Sequence, residues 1–426
     1  MEKLFINLPF FLKNIAFGIV SLMEKRKRKG KYYLQYKTKL IESVKNDLTA
    51  EDIIKDKAIE TVNRLPYYKG EKIKSFNEIP IIDKNIINNH YCLFFNTTAQ
   101  PFTEMKTSGT SGQSLKIPLS KKMYQKKFAA YDAFRELNEM CLKEPNANFF
   151  GRTIFPVKKK VAPFWLYSSF SKQLVLSQYH LNENTVNDYL DALSKYGIKW
   201  IHGYPSFLNL FSELLIEGGL VEKCRDLKIS KISTGSETLL SFQKQNIEKV
   251  FGCEVLDFYG QGENVAHIFS YNNELYVDKT FSYVEFVHYK DDLFHIIGTQ
   301  VDNECLPFIR YNTGDLARIN DQGKIIEIIG RIEDYIYLKD DTKISRLDHI
   351  FKSVKNLREA KIIQEHKGSA KFLINPTNNF TDKDYKELRE SIMSKLGNDF
   401  IFKIEKTSHI PKTKMGKLKF VERLVK

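Results

Sequence analysis

Five short segments carry side chains suited to holding a nucleotide and transferring a group from it. The stretch Lys106-Thr-Ser-Gly-Thr-Ser-Gly-Gln-Ser-Leu-Lys116 offers backbone N–H groups and hydroxyls to phosphate oxygens, and its glycines permit close backbone approach. It lacks the G-x-x-x-x-G-K-[ST] spacing of a Walker loop, and the same composition also suits a flexible linker. Tyr259-Gly-Gln-Gly-Glu263 follows a β-rich run, where a carboxylate can hold Mg²⁺ against phosphates and an aromatic ring can face a base. A plain turn with a solvated Glu is the alternative. In Arg310-Tyr-Asn-Thr-Gly-Asp315, an Asp after a glycine turn can accept from two vicinal ribose hydroxyls, or simply close an Asx turn between strands. Gly330-Arg331, with Glu333 and Asp334, places another cation where it can reach ribose or phosphate. The tail Pro411-Lys-Thr-Lys-Met-Gly-Lys417 presents a lysine on a glycine turn, which can be delivered into a site or left in solvent.

These segments need elements to position them. Residues 32–62 read as helical, and Lys121–Leu142 predicts another helix. Short β-rich runs at Val175-Leu176, Ile198–His202, Ile229–Ser233 and Cys253–Phe258 alternate with helical stretches at Asn184–Lys195 and Pro205–Glu217. That alternation predicts an α/β region with a largely parallel sheet. After Gly260 the pattern turns to β-rich segments at Leu275–Val277, Tyr283–His288, Phe294–Gly298, Leu316–Ile319 and Ile325–Ile329. Turns at Asn272-Asn273 and Asp321-Gln322-Gly323 suit an antiparallel sheet or distorted barrel. From Gly330 on, mixed helix and strand are enough for a small α+β domain, with the boundary at Arg331–Asp334.

The chain of 426 residues is 42% hydrophobic and 28% charged, enough apolar material for a sizeable core without disulfides. Lys and Arg number 66 against 52 Asp and Glu, a net charge of +14 that favours anionic partners without choosing among them. Five scattered cysteines (Cys92, Cys141, Cys224, Cys253 and Cys305), with no Cys-x-x-Cys pair, read as reduced thiols in a cytoplasmic protein and argue against a cysteine-built zinc site. Leu4–Met23 is apolar but interrupted by Asn7, Pro9, Lys13 and Asn14, so it predicts no spanning helix, and the lack of a small-residue cleavage site argues against a secretory signal. On a helical wheel Glu2, Lys3, Asn7, Lys13, Asn14 and Ser21 share one side and Leu, Phe and Ile the other. A basic cluster, Lys25–Lys29 with Lys31, follows. Two readings stand: an interfacial helix resting on an anionic membrane, or a helix folded back on its own domain.

Taken in order, the Ser/Thr/Gly loop, Gly235-Ser236-Glu237, Tyr-Gly-x-x-Glu, Thr-Gly-Asp, Gly-Arg and the terminal Gly-Lys resemble the adenylate-forming superfamily of acyl-CoA synthetases, adenylation domains and luciferases. Within it the chain looks most like the phenylacetate–CoA ligase branch. It is most similar there to CapK-type proteins associated with capsular and surface polysaccharide biosynthesis. Further carrying residues are His202-Gly-Tyr-Pro-Ser206, Leu306-Pro-Phe-Ile-Arg-Tyr-Asn-Thr-Gly-Asp315 and Lys343-Ile-Ser-Arg-Leu-Asp-His-Ile-Phe351. The resemblance covers roughly residues 105–420.

The resemblance implies roles at the matching positions. Thr107, Ser108, Gly109, Thr110, Ser111 and Gly112 would hold the ATP phosphates. Gly235, Ser236, Glu237 and Tyr259 would border adenine, Glu263 would bind Mg²⁺, and Asp315 and Arg331 would hold the ribose. Glu333 would be the hinge about which the small domain turns, and Lys417 would reach the acyl phosphate. The acid pocket would lie near His202, Tyr204, Asn264 and His267. Three positions depart from the family: Gly262 replaces a Thr, Gln113 stands where many relatives have Lys, and Lys339-Asp-Asp-Thr replaces a glycine-bearing segment.

The implied architecture is a large adenylation domain at 1–330, including the basic segment 1–31, with a mobile lid at 331–426. The implied reaction is ATP-dependent adenylation of a carboxylic acid. The acyl group then passes to CoA, as in an aryl acid–CoA ligase, or to an amine or hydroxyl on an amino acid or sugar. Peripheral contact with the inner face of the membrane, a monomer or homodimer, and no nucleic-acid partner complete the expectations. A basic membrane- or nucleic-acid-binding protein without catalysis is the distant alternative.

Overall fold

The computed structural model describes residues 5, 8–107, 115–150, 153–156, 158–331, 335–344, 347–351, 354, 356–413 and 416–425. The chain divides into two compact units: one of residues 1–21, 143–256 and 331–426, the other of residues 22–142 and 257–330.

In the first unit, strands Asn146–Phe150, Gln173–Ser177, Trp200–Gly203 and Lys231–Gly235 run parallel, and Trp165–Ser168 pairs antiparallel at the edge. The helices Val186–Lys195, Pro205–Glu217 and Ser241–Phe251 cover this sheet. Parallel strands need crossovers that bury both faces, and the polar residues Asn146, Asn148, Ser233 and Thr234 are buried here together with the apolar ones. Phe149, Leu190, Ile201, Phe207, Phe211 and Ile232 form their common core. The helix Pro205–Glu217 starts where sequence dictates: Pro205 takes the first turn, where its missing N–H costs nothing.

Residues 331–426 in this unit build a second sheet, ordered Ile401–Lys406, Ser369–Pro376, Leu357–His366 and Val421–Arg423. The helix Asp382–Leu396 packs on it, and Thr381 and Asp384 close its N-terminus as a capping box. The chain is therefore mixed α/β with an α+β C-terminal part.

The second unit centres on an antiparallel sheet of Tyr283–Lys290, Leu293–Gln300, Phe308–Ile319 and Ile325–Arg331. The helices Lys31–Asn46 and Lys121–Leu137 belong to it, as does the hairpin of Thr103–Lys106 with Lys116–Leu119. Buried Asp278 accepts from the Tyr36 hydroxyl at 2.5 Å and from Thr280 at 2.8 Å. Lys126 meets Asp302 at 2.6 Å and donates to the Phe281 carbonyl at 2.8 Å.

Two helix expectations change. The span 32–62 is two helices, because Asp47 turns left-handed at φ 46° and its N–H caps Ser43 before a new helix begins at Glu51. The helix from Lys121 stops at Leu137, where the Asn138 side chain reaches back to the Phe134 carbonyl at 2.9 Å.

Candidate functional site

In the second unit, Asp315 lies inside the strand Phe308–Ile319 yet outside the regular ladder. Its neighbour strand advances from His295 to Ile297 while this one advances from Leu316 back to Asn312, so the segment between is extruded as a bulge. Gly314 makes this bulge at φ 75°, a left-handed conformation that favours glycine. Asn312 Oδ1 accepts from the Gly314 N–H at 2.9 Å, and Thr313 Oγ1 accepts from the Asp315 N–H at 3.0 Å. The Asp315 carboxylate then accepts from the Tyr259 hydroxyl at 2.7 Å, and Gln261 donates to that same phenol oxygen at 3.2 Å. Burial first, and Asp315 second, push the Tyr259 phenol well above its ordinary value, so it stays a donor.

Glu263 sits on the loop after the strand Glu254–Gly260, where Tyr311 donates to its buried carboxylate at 3.2 Å. Gly298 allows that loop to approach: a Cβ there would lie 2.3 Å from the Val265 carbonyl oxygen. Thr107 is also buried and closes the hairpin ends, donating its N–H to the Leu115 carbonyl and accepting the Leu115 N–H on Oγ1, each at 3.0 Å. A Cβ on Gly262 would come within 3.3 Å of the Thr107 methyl, so a side chain there would press on Thr107. Ser108, Gly109, Thr110, Ser111 and Gly112 lie outside the described residues.

Of the remaining expected residues of this unit, His267 is enclosed: its ring stacks on Phe281 at 3.6 Å between centroids and meets Phe258 edge-on. Burial, then Lys127 and Lys126, hold it well below the ordinary histidine value, so it is neutral. Asn264 is buried in a left-handed turn and donates to the Gly262 carbonyl at 2.6 Å. Lys127 was not singled out by sequence. Its ammonium lies 3.3 Å from Met105 Sδ, and burial with Arg28 lowers it to about 8 while Glu263 acts the other way. One signal was available: Lys127 is a cation among apolar positions on the helix that follows the Ser/Thr/Gly loop.

In the first unit, the structure brings together His202-Gly-Tyr-Pro-Ser206, Glu237 and the tail. His202 Nδ1 and Ser233 Oγ are 2.9 Å apart across paired strands. Gly235 ends its strand and Ser236 turns left-handed at φ 69°, which directs Glu237 to the N-terminus of the helix Pro205–Glu217. The Ser206 N–H donates to Glu237 Oε2 at 3.2 Å, a favourable contact for an anion at a helix start. The Leu418 N–H donates to Glu237 Oε1 at 2.8 Å. Burial raises the Glu237 carboxyl, and both donors act against it.

That second bond anchors the turn bearing Lys417. Thr413 donates to the Lys417 carbonyl at 2.9 Å, its Oγ1 accepts the Lys417 N–H at 3.1 Å, and Gly416 is left-handed at φ 73°. The ammonium lies 5.8 Å from the centroid of the Tyr204 ring. Nearby, Arg358 pairs with Glu217 and, at 3.2 Å, with Glu183, while its carbonyl accepts from Asn209. A cavity lined by Ser206, Gln243, Arg358 and Leu418 holds only about 30 Å³, room for about one water, so this seam is closed. Arg331 ends the strand Ile325–Arg331, and its side chain and Glu333 lie outside the described residues.

For Mg²⁺, no cluster of three or more His, Cys, Asp or Glu occurs among the described residues. A single buried carboxylate such as Glu263 fits that ion, which usually takes one or two protein carboxylates and completes its shell with phosphates and water.

A family model, the CapK C-terminal domain, matches residues 336–423. Protein CapK of Staphylococcus aureus is 24% identical over 370 residues, spanning 82% of this chain and 81% of that protein. Among solved structures, 2-hydroxyisobutyryl-CoA ligase in the postadenylation state with R3-HIB-AMP aligns at a TM-score of 0.61. That alignment has 14% identity and covers 88% of this chain and 89% of that one. An anthranilate CoA ligase in complex with anthranoyl-AMP gives a TM-score of 0.51 at 14% identity, over 74% of this chain and 65% of that one. At such identities the likeness establishes the fold. The chain is thus a homologue of CapK that carries a CapK C-terminal domain and has the fold of adenylate-forming CoA ligases.

Proposed function

We propose that the chain uses ATP to adenylate a carboxylic acid and then passes the acyl group to an acceptor. The observation that carries this reading is the turn Thr413–Lys417, whose ammonium lies above Tyr204 while Glu237 anchors the next residue. A lysine so fixed can stabilise charge developing on the α-phosphate without reorganising during the reaction.

In this reading, the substrate carboxylate oxygen attacks the α-phosphorus, the bond to the bridging oxygen breaks, and pyrophosphate leaves. Asp315 accepts from the ribose hydroxyls, with Arg331 assisting, and Tyr259 keeps the Asp315 carboxylate oriented. Gly235, Ser236, Glu237 and Tyr259 belong to the adenine side of the reading. Thr107 and the loop 108–112 take the phosphates, with Lys127 as an additional cation beside them. Glu263, oriented by Tyr311, would hold Mg²⁺, which supplies charge neutralisation on the phosphates. His202, Tyr204, Asn264 and His267 belong to the acid side of the reading. Residues 331–426 act as the moving lid and Glu333 as its hinge.

Two acceptor classes follow. CoA is named in the ligases that share the fold, while an amine or hydroxyl on an amino acid or sugar would suit a homologue of CapK in surface polysaccharide synthesis. ATP–pyrophosphate exchange against aryl, hydroxy, amino and sugar acids tests the first half-reaction without any acceptor. Exchange with one acid, lost in Lys417→Ala, supports adenylation, and a competition between CoA and amines then decides the acceptor. Failure to bind ATP would overturn the reading.

A further inference from the structure

The N-terminal helix Phe10–Arg28 is turned opposite to the usual amphipathic arrangement. In its first half the polar residues Lys13 and Asn14 face the protein. Lys13 is only 3% exposed and donates to the Ile154 carbonyl at 3.4 Å, and Asn14 Oδ1 accepts the Tyr167 N–H at 3.1 Å. Gly18 is buried against the Phe170 ring, 3.6 Å from where its Cβ would stand. The apolar side points outward: Phe11 is 71% exposed, and Leu12, Ile15, Ile19, Val20 and Met23 are exposed with it. Phe170 and Val161 are exposed as well. A contiguous apolar face of this kind marks an interaction surface, because leaving it in water forgoes the gain of burying it.

The chemistry around this face says what covers it. Lys25, Arg26 and Lys27 are exposed at the C-terminal end of the helix. At its start, a cavity of about 430 Å³ is lined by Leu8, Phe10, Lys13, Phe155, Lys158 and Lys159, with Pro156, and among the described residues its ionisable groups are all lysines. The Lys13 and Lys159 ammoniums lie over one buried ring, 4.5 and 5.5 Å from the Phe155 centroid. Burial and the nearby Lys159 charge lower the Lys13 ammonium, a repulsion that a bound anion would relieve. The volume falls within the roughly 300–1,000 Å³ of small-molecule sites. A second copy of the chain would bring the same lysines against these, whereas an anionic lipid surface brings phosphates to the lysines and acyl chains to the apolar face. Among the described residues no helix is long and apolar enough to cross a membrane, so such a helix lies along the surface.

We propose that the exposed face of the helix Phe10–Arg28 seats on an anionic phospholipid bilayer, and that the Lys13, Lys158 and Lys159 cavity takes the phosphate of a lipid headgroup. The proposal is independent of the adenylation chemistry. Flotation of the full chain with phosphatidylcholine vesicles, with and without phosphatidylglycerol, tests it. The chain floats only with the anionic vesicles. Phe11→Asp with Ile19→Asp lowers the bound fraction tenfold or more, and Lys158→Glu with Lys159→Glu lowers it at least severalfold and flattens its salt dependence. Thermal unfolding midpoints equal to the parent's show that these surface variants are folded. Equal binding to both vesicles, binding to neither, or full binding by the Phe11→Asp, Ile19→Asp variant would overturn the proposal. So would a parent dimer that this variant converts to monomer, which would give the face to a second copy of the chain.

Discussion

Glu237 in the first unit and Asp315 in the second are carboxylates at candidate nucleotide positions, but they are held by different kinds of donor. Glu237 accepts from two backbone N–H groups, Ser206 at a helix start and Leu418 in the tail. Asp315 accepts from a phenol, Tyr259, and is placed by a bulge that Gly314 makes feasible. A backbone donor can move only with its chain, so Glu237 fixes where a segment lies and, through Leu418, where Lys417 lies. A phenol can rotate aside, so the Asp315 carboxylate stays oriented yet can exchange that partner for ligand hydroxyls. Within the proposed function, the first arrangement sets position and the second receives ligand.

The most damaging break in this comparison removes what Glu237 positions. Lys417→Ala should reduce acid-dependent ATP–pyrophosphate exchange by about 10²–10³-fold, mainly in kcat, as expected for one lost stabiliser of transition-state charge. Nucleotide binding, measured by calorimetry, should change little. Asp315→Asn should act the other way, weakening ATP binding about 10- to 100-fold, the scale of one charged hydrogen bond. Tyr259→Phe leaves the carboxylate in place and should cost only about threefold to tenfold in the same measurement. Equal effects from both substitutions would show that Tyr259 does more than orient Asp315.

Glu237→Ala sharpens the contrast through stability. Two backbone donors lose their acceptor at a closed seam, so unfolding should become easier by about 1–3 kcal/mol in denaturant titration. Lys417→Ala should leave stability near the parent's.

The smallest effect concerns pH. Glu213, on the helix that Glu237 caps, is pushed up to about 7 by burial and then by Glu217, with Arg358 and Asn246 opposing. The folded chain therefore binds more protons than the unfolded chain between about 4.5 and 7. This carboxyl's contribution to stability is present at low pH, falls across that window and is absent above it. Glu213→Gln should raise the unfolding midpoint at pH 8 relative to the parent and lose that advantage near pH 4.5. A difference on the order of 1 kcal/mol is expected, since the group is only partly buried. A pH-independent difference would remove Glu213 from the seam's titration.

Much of this was legible in residue order. The alternation of short β-rich runs and helical stretches from 173 to 235 becomes the parallel sheet, because each crossover helix returns the chain to a neighbouring parallel strand. The β-rich texture from Tyr283 on becomes the four-stranded sheet, whereas the expected strand at Leu275–Val277 pairs instead with His267–Tyr271 in another sheet, because the short turn at Asn272-Asn273 folds it back on its immediate predecessor. Glycine motifs marked the turns beside Asp315 and Lys417, since positive φ restricts residue type locally. The break at Asp47 was less legible, because a left-handed Asp cap leaves a weaker signature than a glycine.

Partnerships were not legible. Nothing near Glu237 in the chain indicates that Leu418, 181 positions away, donates to it. Nor does the sequence place Tyr311 on Glu263 or Lys127 beside Met105. The N-terminal helix shows the limit most clearly: its two faces could be read from spacing, but which one meets the protein could not. Periodicity records that a face differs from its opposite, whereas its direction depends on what the rest of the chain offers. Here Ile154, the Tyr167 N–H and Phe170 accept the polar side and Gly18, leaving the apolar side outward. Sequence alone determined the elements and the residue types that could do chemistry, because both arise from local geometry and side-chain identity. Tertiary structure decided which carboxylate meets which donor and which surface is left uncovered, because those contacts join residues far apart in the chain.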